Sequence, residues 1–333
     1  MSILKTRAEE ITNAFSGKKI LVVGDVFLDR YVYGIVERLN PEAPVPILHA
    51  KKEDNATGGA GNSAKNAAML GAEVTCIGVV GNDEAAGILD SAASNEGYTS
   101  IFLRDAKGAT IVKKRYIVGS QQLLRVDHEI IGSMQEDVEH RVIQEIESQA
   151  TSADAIIVSD YAKGTISESV AHALMGVMKQ RGIPMMVDAK PSRVGYFTGA
   201  TYMSPNRKEA HEYLGINPYE NGGKKAHELA TMVASSFETT AFLTLGSEGM
   251  YVQGMQGEGY YVPTVYIHSD EVVDTSGCGD TAAVTILLSV LAGATLSEAA
   301  EMGNAAGATV ARKTGAVGIT KEELLHTIEE HHA

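Results

Sequence analysis

The residues with the most chemistry to offer lie in one string, Asp274-Thr275-Ser276-Gly277-Cys278-Gly279-Asp280. Ala282, Ala283, Ile286, Leu287, Val290 and Leu291 recur at helical spacing behind it, and Glu271 to Asp274 reads as a strand end. The string therefore predicts a strand-to-helix turn. Gly277 and Gly279, flanking Cys278, let consecutive N–H groups point the same way, and a helix N-terminus adds uncapped donors and a positive dipole end. Asp280 places a carboxylate at the lip of that anion cradle. Phosphoryl transfer to a hydroxyl needs this pairing, in which one group takes the proton and the donors take the charge. A Gly-rich helix start capped by Asp fits the same residues, and the loop alone does not separate the two readings.

Other polar groups follow apolar runs. Lys18 to Asp25 (KKILVVGD) has the pattern of a central parallel strand, and ligands in such sheets sit beyond the carboxyl ends, where Asp25 and, after a turn, Asp29 would lie. Asp25 there either binds substrate hydroxyls or shapes a turn. Gly58-Gly59-Ala60-Gly61-Asn62 opens a helix, Ser63 to Leu70; the glycines suit close packing, and Asn62 is the member with a group for a ligand. The strand Ala155 to Val158 ends in Ser159-Asp160-Tyr161-Ala162-Lys163-Gly164, and Pro184 to Val187 ends in Asp188-Ala189-Lys190. Each Asp/Lys pair suits phosphate and metal-bound water, or equally a surface ion pair. Asn206 and Glu209, at i and i+3, suit a hydrated Mg²⁺ and also a helix capping box. Thr240 to Leu245 and Met250 to Gln253 read as strands around a tight Gly246-Ser247-Glu248-Gly249 turn along which a nucleotide could lie.

These groups require a scaffold that brings strand ends together. Strand Val74 to Val80, helix Asp83 to Asn95, strand Thr99 to Leu103 and helix Glu136 to Ser148 continue a β/α alternation. The fold class is thus α/β, a three-layer arrangement around a mostly parallel, doubly wound sheet, with residues 1–333 as a single domain. Pro41, Pro44 and Pro46 rule out a helix or central strand between Tyr31–Val36 and Ile47–Lys51. With Thr110 to Val118 and Leu123 to Val126, these segments, near 31–52 and 108–127, predict a small β lid that excludes water and offers a surface for a homodimer. A small-residue helix, Leu296 to Arg312, carries Asn304 and Gly307, and a polar helix, Lys321 to His331, ends the chain.

The 333 residues are 44% hydrophobic and carry a formal net charge of -14, which argues against a nucleic-acid partner because no region supplies a basic face. Two cysteines, Cys76 and Cys278, lie in unrelated contexts, and neither a signal peptide nor a membrane-length apolar run occurs. A cytoplasmic protein without membrane contact is expected. Neither GxxxxGK[ST] nor a GxGxxG after the first strand is present, which lowers the P-loop and dinucleotide readings.

Over nearly all its length the chain resembles the ribokinase-like (phosphofructokinase B type) carbohydrate kinases. GGAGN at 58–62 and DTSGCGD at 274–280 resemble that superfamily's two signature regions, and SPNRKEA at 204–210 its Asn-x-x-Glu metal motif. VVGDVFLDRY (22–31), NPEAPVP (40–46), QQLLRVD (121–127) and SDYAKG (159–164) are similar to the heptose 7-phosphate kinases within it. The resemblance implies a ribokinase-like fold and transfer of the ATP γ-phosphoryl group to the 1-hydroxyl of D-glycero-D-manno-heptose 7-phosphate. It makes Asp280 the general base, with Gly277, Cys278 and Gly279 supplying anion-hole amides. Asp25, Gly59 and Asn62 would hold the sugar, and Asn206 and Glu209 would order Mg²⁺. Thr244, Gly246, Gly249 and Asn304 would line the ATP path. Lys113, Arg115, Gln122, Arg125 and Lys163 are candidates for the substrate phosphate, and Lys190 for the nucleotide. A monovalent cation such as K⁺ is an optional addition.

Cys278 stands where that family usually has Ala, and its thiol is expected to sensitise the site to alkylation or oxidation. Bifunctional relatives carry an appended adenylyltransferase domain; the chain stops after its last helix, so kinase activity without nucleotidyl transfer is expected. The rival readings are the same fold with another acceptor, as in ribokinase or fructokinase, and a sugar-binding regulator without catalysis.

Overall fold

A computed structural model describes residues 3–119, 121–130, 132–218, 225–265, 271–315 and 317–330. The chain runs α1 (Lys5–Asn13), β1 (Lys19–Gly24), β2 (Val26–Leu39), β3 (Pro46–Gly59), α2 (Ala60–Met69), β4 (Glu73–Gly81), α3 (Glu84–Asn95) and β5 (Thr99–Asp105). It continues through β6 (Val112–Val118), β7 (Gln121–His128), α4 (Glu136–Gln149), β8 (Ala155–Asp160), α5 (Glu168–Arg181), β9 (Met185–Ala189), β10 (Tyr202–Met203) and α6 (Arg207–Tyr213). The last part holds α7 (Ala226–Phe237), β11 (Thr240–Thr244), β12 (Met250–Gln253), β13 (Gly259–Val262), α8 (Cys278–Leu291), α9 (Leu296–Ala311) and α10 (Lys321–Glu330).

Nine strands form the main sheet in the order β13-β12-β11-β10-β9-β8-β1-β4-β5. All pairs from β11 to β5 are parallel, and only β12 and β13 join antiparallel. The continuous apolar runs of β1 and β8 explain their central places, because both faces of each are covered. Ile20, Val22, Cys76 and Ile157 pack with α1, α2, α8, α9 and α10 on one face. Leu21, Val23, Ile156 and Val158 pack with α4, α5 and α7 on the other. This is the ribokinase-like α/β fold that the sequence predicts.

Pro41 and Pro44 lie in the turn of a long hairpin whose second strand opens at Pro46, opposite Leu39, and the second sheet has the order β3-β2-β6-β7. Phe27, Asp29 and Tyr31 of β2 share one face with Lys113 and Arg115 of β6, since Asp29 lies opposite Lys113 and Tyr31 opposite Arg115. That face is turned inward: Phe27, Asp29 and Tyr31 are all buried.

One expected strand end is absent. Among the described residues Glu271 to Asp274 has no neighbouring strand; instead the amides of Val273 and Asp274 donate to the carbonyl of Ala311 at the end of α9. The helices α5 and α7 were not singled out from sequence, although Val170, Leu174 and Val177, and Leu229, Ala230 and Val233, mark their buried faces. Ser120 in the second lid segment and His331 at the expected end of the last helix lie outside the described residues.

Candidate active site

Asp280 sits in the first turn of α8, whose N-cap, Gly277, takes a left-handed conformation at φ 79°. Asp274 shapes the approach: its carboxylate accepts from the Ser276 amide at 2.9 Å and the Gly315 amide at 3.0 Å. The Cys278 amide donates weakly within the turn, to Thr275 O at 3.3 Å. A Cβ on Gly279 would meet open space, so this side of the turn is accessible to a ligand. The helix start is therefore capped by Gly277, and Asp280 is one turn further in than a capping Asp would be.

The Asp280 carboxylate is buried and held from two directions. Asn62 Nδ2 on α2 donates to Oδ2 at 2.8 Å, and the Tyr161 hydroxyl donates to Oδ1 at 3.0 Å. Burial raises its pKa, while Asn62 and Tyr161, followed by the charges of Lys190 and Lys65, work in the opposite direction. A carboxylate made more basic yet kept ionisable by two donors suits proton abstraction.

Asp25, just beyond β1, faces the loop that follows β8. One oxygen accepts from the amides of Tyr161 and Lys163 and the other from Thr165, each at 2.9 Å. The carboxylate thus organises the loop after β8. Gly59 is required next to it, since a Cβ there would lie 2.2 Å from Asp25 O and φ is +62°. Gly58 clears Phe27 and Asp29 in the same way.

Further acidic groups gather at the ends of β8 and β9. Burial pushes Asp160 up to about 6 and Asp188 up to about 7, with the negative charges of Asp280 and Glu209 adding to the shift at Asp188. Asp160 Oδ1 accepts from the Ala162 amide at 2.8 Å, whereas its Oδ2 is buried without a hydrogen-bond partner.

Asn206 and Glu209 form a capping box at α6: Asn206 Oδ1 accepts from the Glu209 amide at 2.9 Å, and Glu209 Oε2 from the Asn206 amide at 3.1 Å. Glu209 Oε1 also takes Lys190 Nζ at 2.7 Å. Burial opposes the charge on Lys190, but this contact with Glu209 holds its pKa above the ordinary value. Thr244 bridges to Asn206, and the Gly246–Glu248 turn that follows ends at Gly249, where φ is +99° and a Cβ would lie 2.3 Å from Val262 O. Asn304 Nδ2 on α9 donates to Val262 O and Pro263 O at 3.2 Å.

Among the described residues, no three His, Cys, Asp or Glu side chains cluster as ligands for a metal. A fully protein-bound cation does not fit. A hydrated Mg²⁺ that shares its shell with phosphates fits Glu209, Asn206 and the acidic strand ends.

The family model for pfkB carbohydrate kinases matches residues 17–323. The chain belongs to the pfkB family. It is 39% identical over 318 residues to the bifunctional protein HldE of Caulobacter vibrioides, covering 94% of this chain and 64% of that protein. It is 33% identical over 325 residues to the bifunctional protein HldE of Trichlorobacter lovleyi, covering 97% and 65%. The chain thus spans just under two thirds of these relatives. Phosphofructokinase-2 of Escherichia coli in complex with potassium superimposes with a TM-score of 0.78 at 18% identity, over 95% of this chain and all of that one. A carbohydrate kinase from Agrobacterium tumefaciens gives 0.70 at 19% identity, over 94% and 97%. At these identities the two structures speak to the fold.

The lid of this pfkB kinase meets the loop after β8. Lys113 Nζ lies 3.5 Å from the centre of the Phe27 ring and 5.6 Å from that of Tyr161, and burial lowers its pKa. Arg115 pairs with the buried Asp29 and lies over Tyr31. Arg125 is opposite Arg115 but exposed, forked onto Asp127 at 2.8 and 3.0 Å, and Gln122 is exposed on the same strand. Lys163 Nζ contacts Glu129 at 2.8 Å, and its side chain lines a cavity of about 90 Å³ together with Asp25, Lys107, Ser133 and Thr165.

Three site features escaped the sequence reading. Tyr161 lay within a quoted string but received no role; Asp29 was placed at the strand ends without its Arg115 partner; and Lys65, one turn beyond Asn62, is buried with Nζ 3.9 Å from Glu96. The surroundings of Cys278 work against the expected reactivity of its thiol. Burial, with the charges of Asp274 and Asp280, pushes its thiol up to about 11. Cys76 is buried and unpaired as well, so neither cysteine forms a disulfide.

Proposed function

We propose that the chain phosphorylates the 1-hydroxyl of D-glycero-β-D-manno-heptose 7-phosphate with ATP, giving the 1,7-bisphosphate. The observation that carries the reaction is Asp280, buried at the start of α8 and gripped by Asn62 and Tyr161. Asp280 takes the proton of the acceptor hydroxyl, and the hydroxyl oxygen forms the new bond to the γ-phosphorus as the bond from that phosphorus to the ADP oxygen breaks. The amides around Gly277, Cys278 and Gly279 face the charge of the transferring group, with Gly279 the most open. Asn62, Gly59 and Asp25 bound the sugar, Asp25 by fixing the loop beneath it. Lys113, Arg115, Gln122, Arg125 and Lys163 supply the polar wall for the substrate phosphate. Lys190, Thr244, Gly246, Gly249 and Asn304 receive ATP. Mg²⁺, when bound near Asn206 and Glu209, neutralises phosphate charge.

The heptose assignment rests on the four similar strings and is supported by the HldE relatives. Exposed Ile35, Leu39, Val45, Leu123 and Leu124 on or beside the lid strands support a homodimer through that sheet. An ADP-release assay over a panel of sugars and sugar phosphates, with and without K⁺, tests the substrate. The heptose phosphate is expected to give the highest turnover; faster reaction with an unphosphorylated sugar would overturn it.

A further inference from the structure

We propose that Tyr161 is a positioning residue for Asp280 and ties the seating of the lid to the basicity of that carboxylate. The inference rests on Asp280 acting as the base.

Its geometry is specific. The hydroxyl donates to Asp280 Oδ1 at 3.0 Å, opposite the Asn62 donor on Oδ2. The ring is met edge-on by Phe27 at 5.4 Å between centroids, and Lys113 from the lid and Lys190 from the body approach it at 5.6 and 5.4 Å. Its backbone amide is fixed by Asp25 at 2.9 Å. Tyr161 is thus the one described side chain that touches the lid strand β2 through its ring and Asp280 through its hydroxyl. Burial keeps the phenol protonated, so it acts as a donor.

A donor to a carboxylate stabilises the ionised form. Withdrawing the hydroxyl leaves burial and the neighbouring Asp188 to raise the Asp280 pKa against the Asn62 donor and the charges of Lys190 and Lys65. Lid displacement moves Phe27 and Lys113, the groups that seat the ring, and so alters the same hydrogen bond.

The test is a carboxyl ¹³C titration of aspartate-labelled protein, with the Asp280 signal assigned by its loss in Asp280→Asn. Tyr161→Phe, which keeps the ring, is expected to raise the Asp280 midpoint by about one pH unit and to shift the acidic limb of kcat/KM upward with it. Site-specific 3-fluorotyrosine at 161, a more acidic donor, should lower the midpoint; this second variant keeps the test decisive if Tyr161→Phe folds poorly. Phe27→Leu should move the midpoint upward, toward that of Tyr161→Phe. An unmoved midpoint in both position-161 variants overturns the proposal, and an unmoved one in Phe27→Leu overturns its lid half. Wild-type turnover in Asp280→Asn overturns the base reading instead, so the two failures are distinguishable.

Discussion

Glu209 receives Lys190 on one carboxylate oxygen at 2.7 Å and the Asn206 amide on the other at 3.1 Å. Both oxygens are engaged before any cation arrives, so a metal must be reached through water or by sharing Lys190. Glu209→Gln keeps an acceptor for the Asn206 amide while removing the charge. The Mg²⁺ concentration giving half-maximal ADP release should rise about tenfold or more, as for other groups that act on a metal indirectly, with little change in Tm.

Asp280→Asn preserves shape and the Tyr161 contact but removes the base. Turnover should fall about 10²- to 10⁴-fold while ligands still protect the protein in thermal melts. Unchanged turnover in steady-state assays would remove Asp280 from its role.

The rim of the site was legible because buried parallel strands are written as unbroken apolar runs, and polar residues that end them fall on one side of the sheet. Asp25, Asp160 and Asp188 are legible in this way, and Asp280 from the Gly-rich string that opens α8. Their partners were not, because the pairing of Asp280 with Tyr161 spans 119 positions and that of Asp25 with the 161–165 amides involves main chain, which carries no side-chain signal. The Asp29–Arg115 pair depends on the register of β2 against β6. The Glu271–Asp274 difference has the same origin: its valines resemble a strand, but among the described residues no partner strand lies beside them.

Asp188 makes stability depend on pH. An aspartate in an unfolded chain titrates near ~3.9, whereas Asp188 is pushed up to about 7 by burial. Between these values the folded state binds more protons, so stability falls as pH rises and the loss is complete above the folded value. Asp188→Asn should therefore stabilise by about 1–3 kcal/mol at pH 8 and far less at pH 4, read by urea denaturation at the two values.

Cys278 should resist iodoacetamide at pH 7, because a thiol at about 11 is almost wholly protonated. Mass-spectrometric alkylation rates at Cys278 should climb about tenfold per pH unit up to that region. Rapid, pH-independent labelling would contradict this environment.

Asp25→Ala should cost about 2–4 kcal/mol in urea denaturation, since it leaves the amides of Tyr161, Lys163 and Thr165 without their acceptor. Activity should fall with it through misplacement of Tyr161.

Those three contacts run from a carboxylate to main-chain amides, so the loop they hold is specified independently of the side chains it displays. Asp25 works as a mould: substitutions at Lys163 and Thr165 can exchange side chains while the backbone path persists, whereas Gly164, at φ +121°, and Tyr161, bonded to Asp280, are fixed. Retuning what this loop displays is then a matter of side-chain choice at those two positions, with the strand and its aspartate left in place.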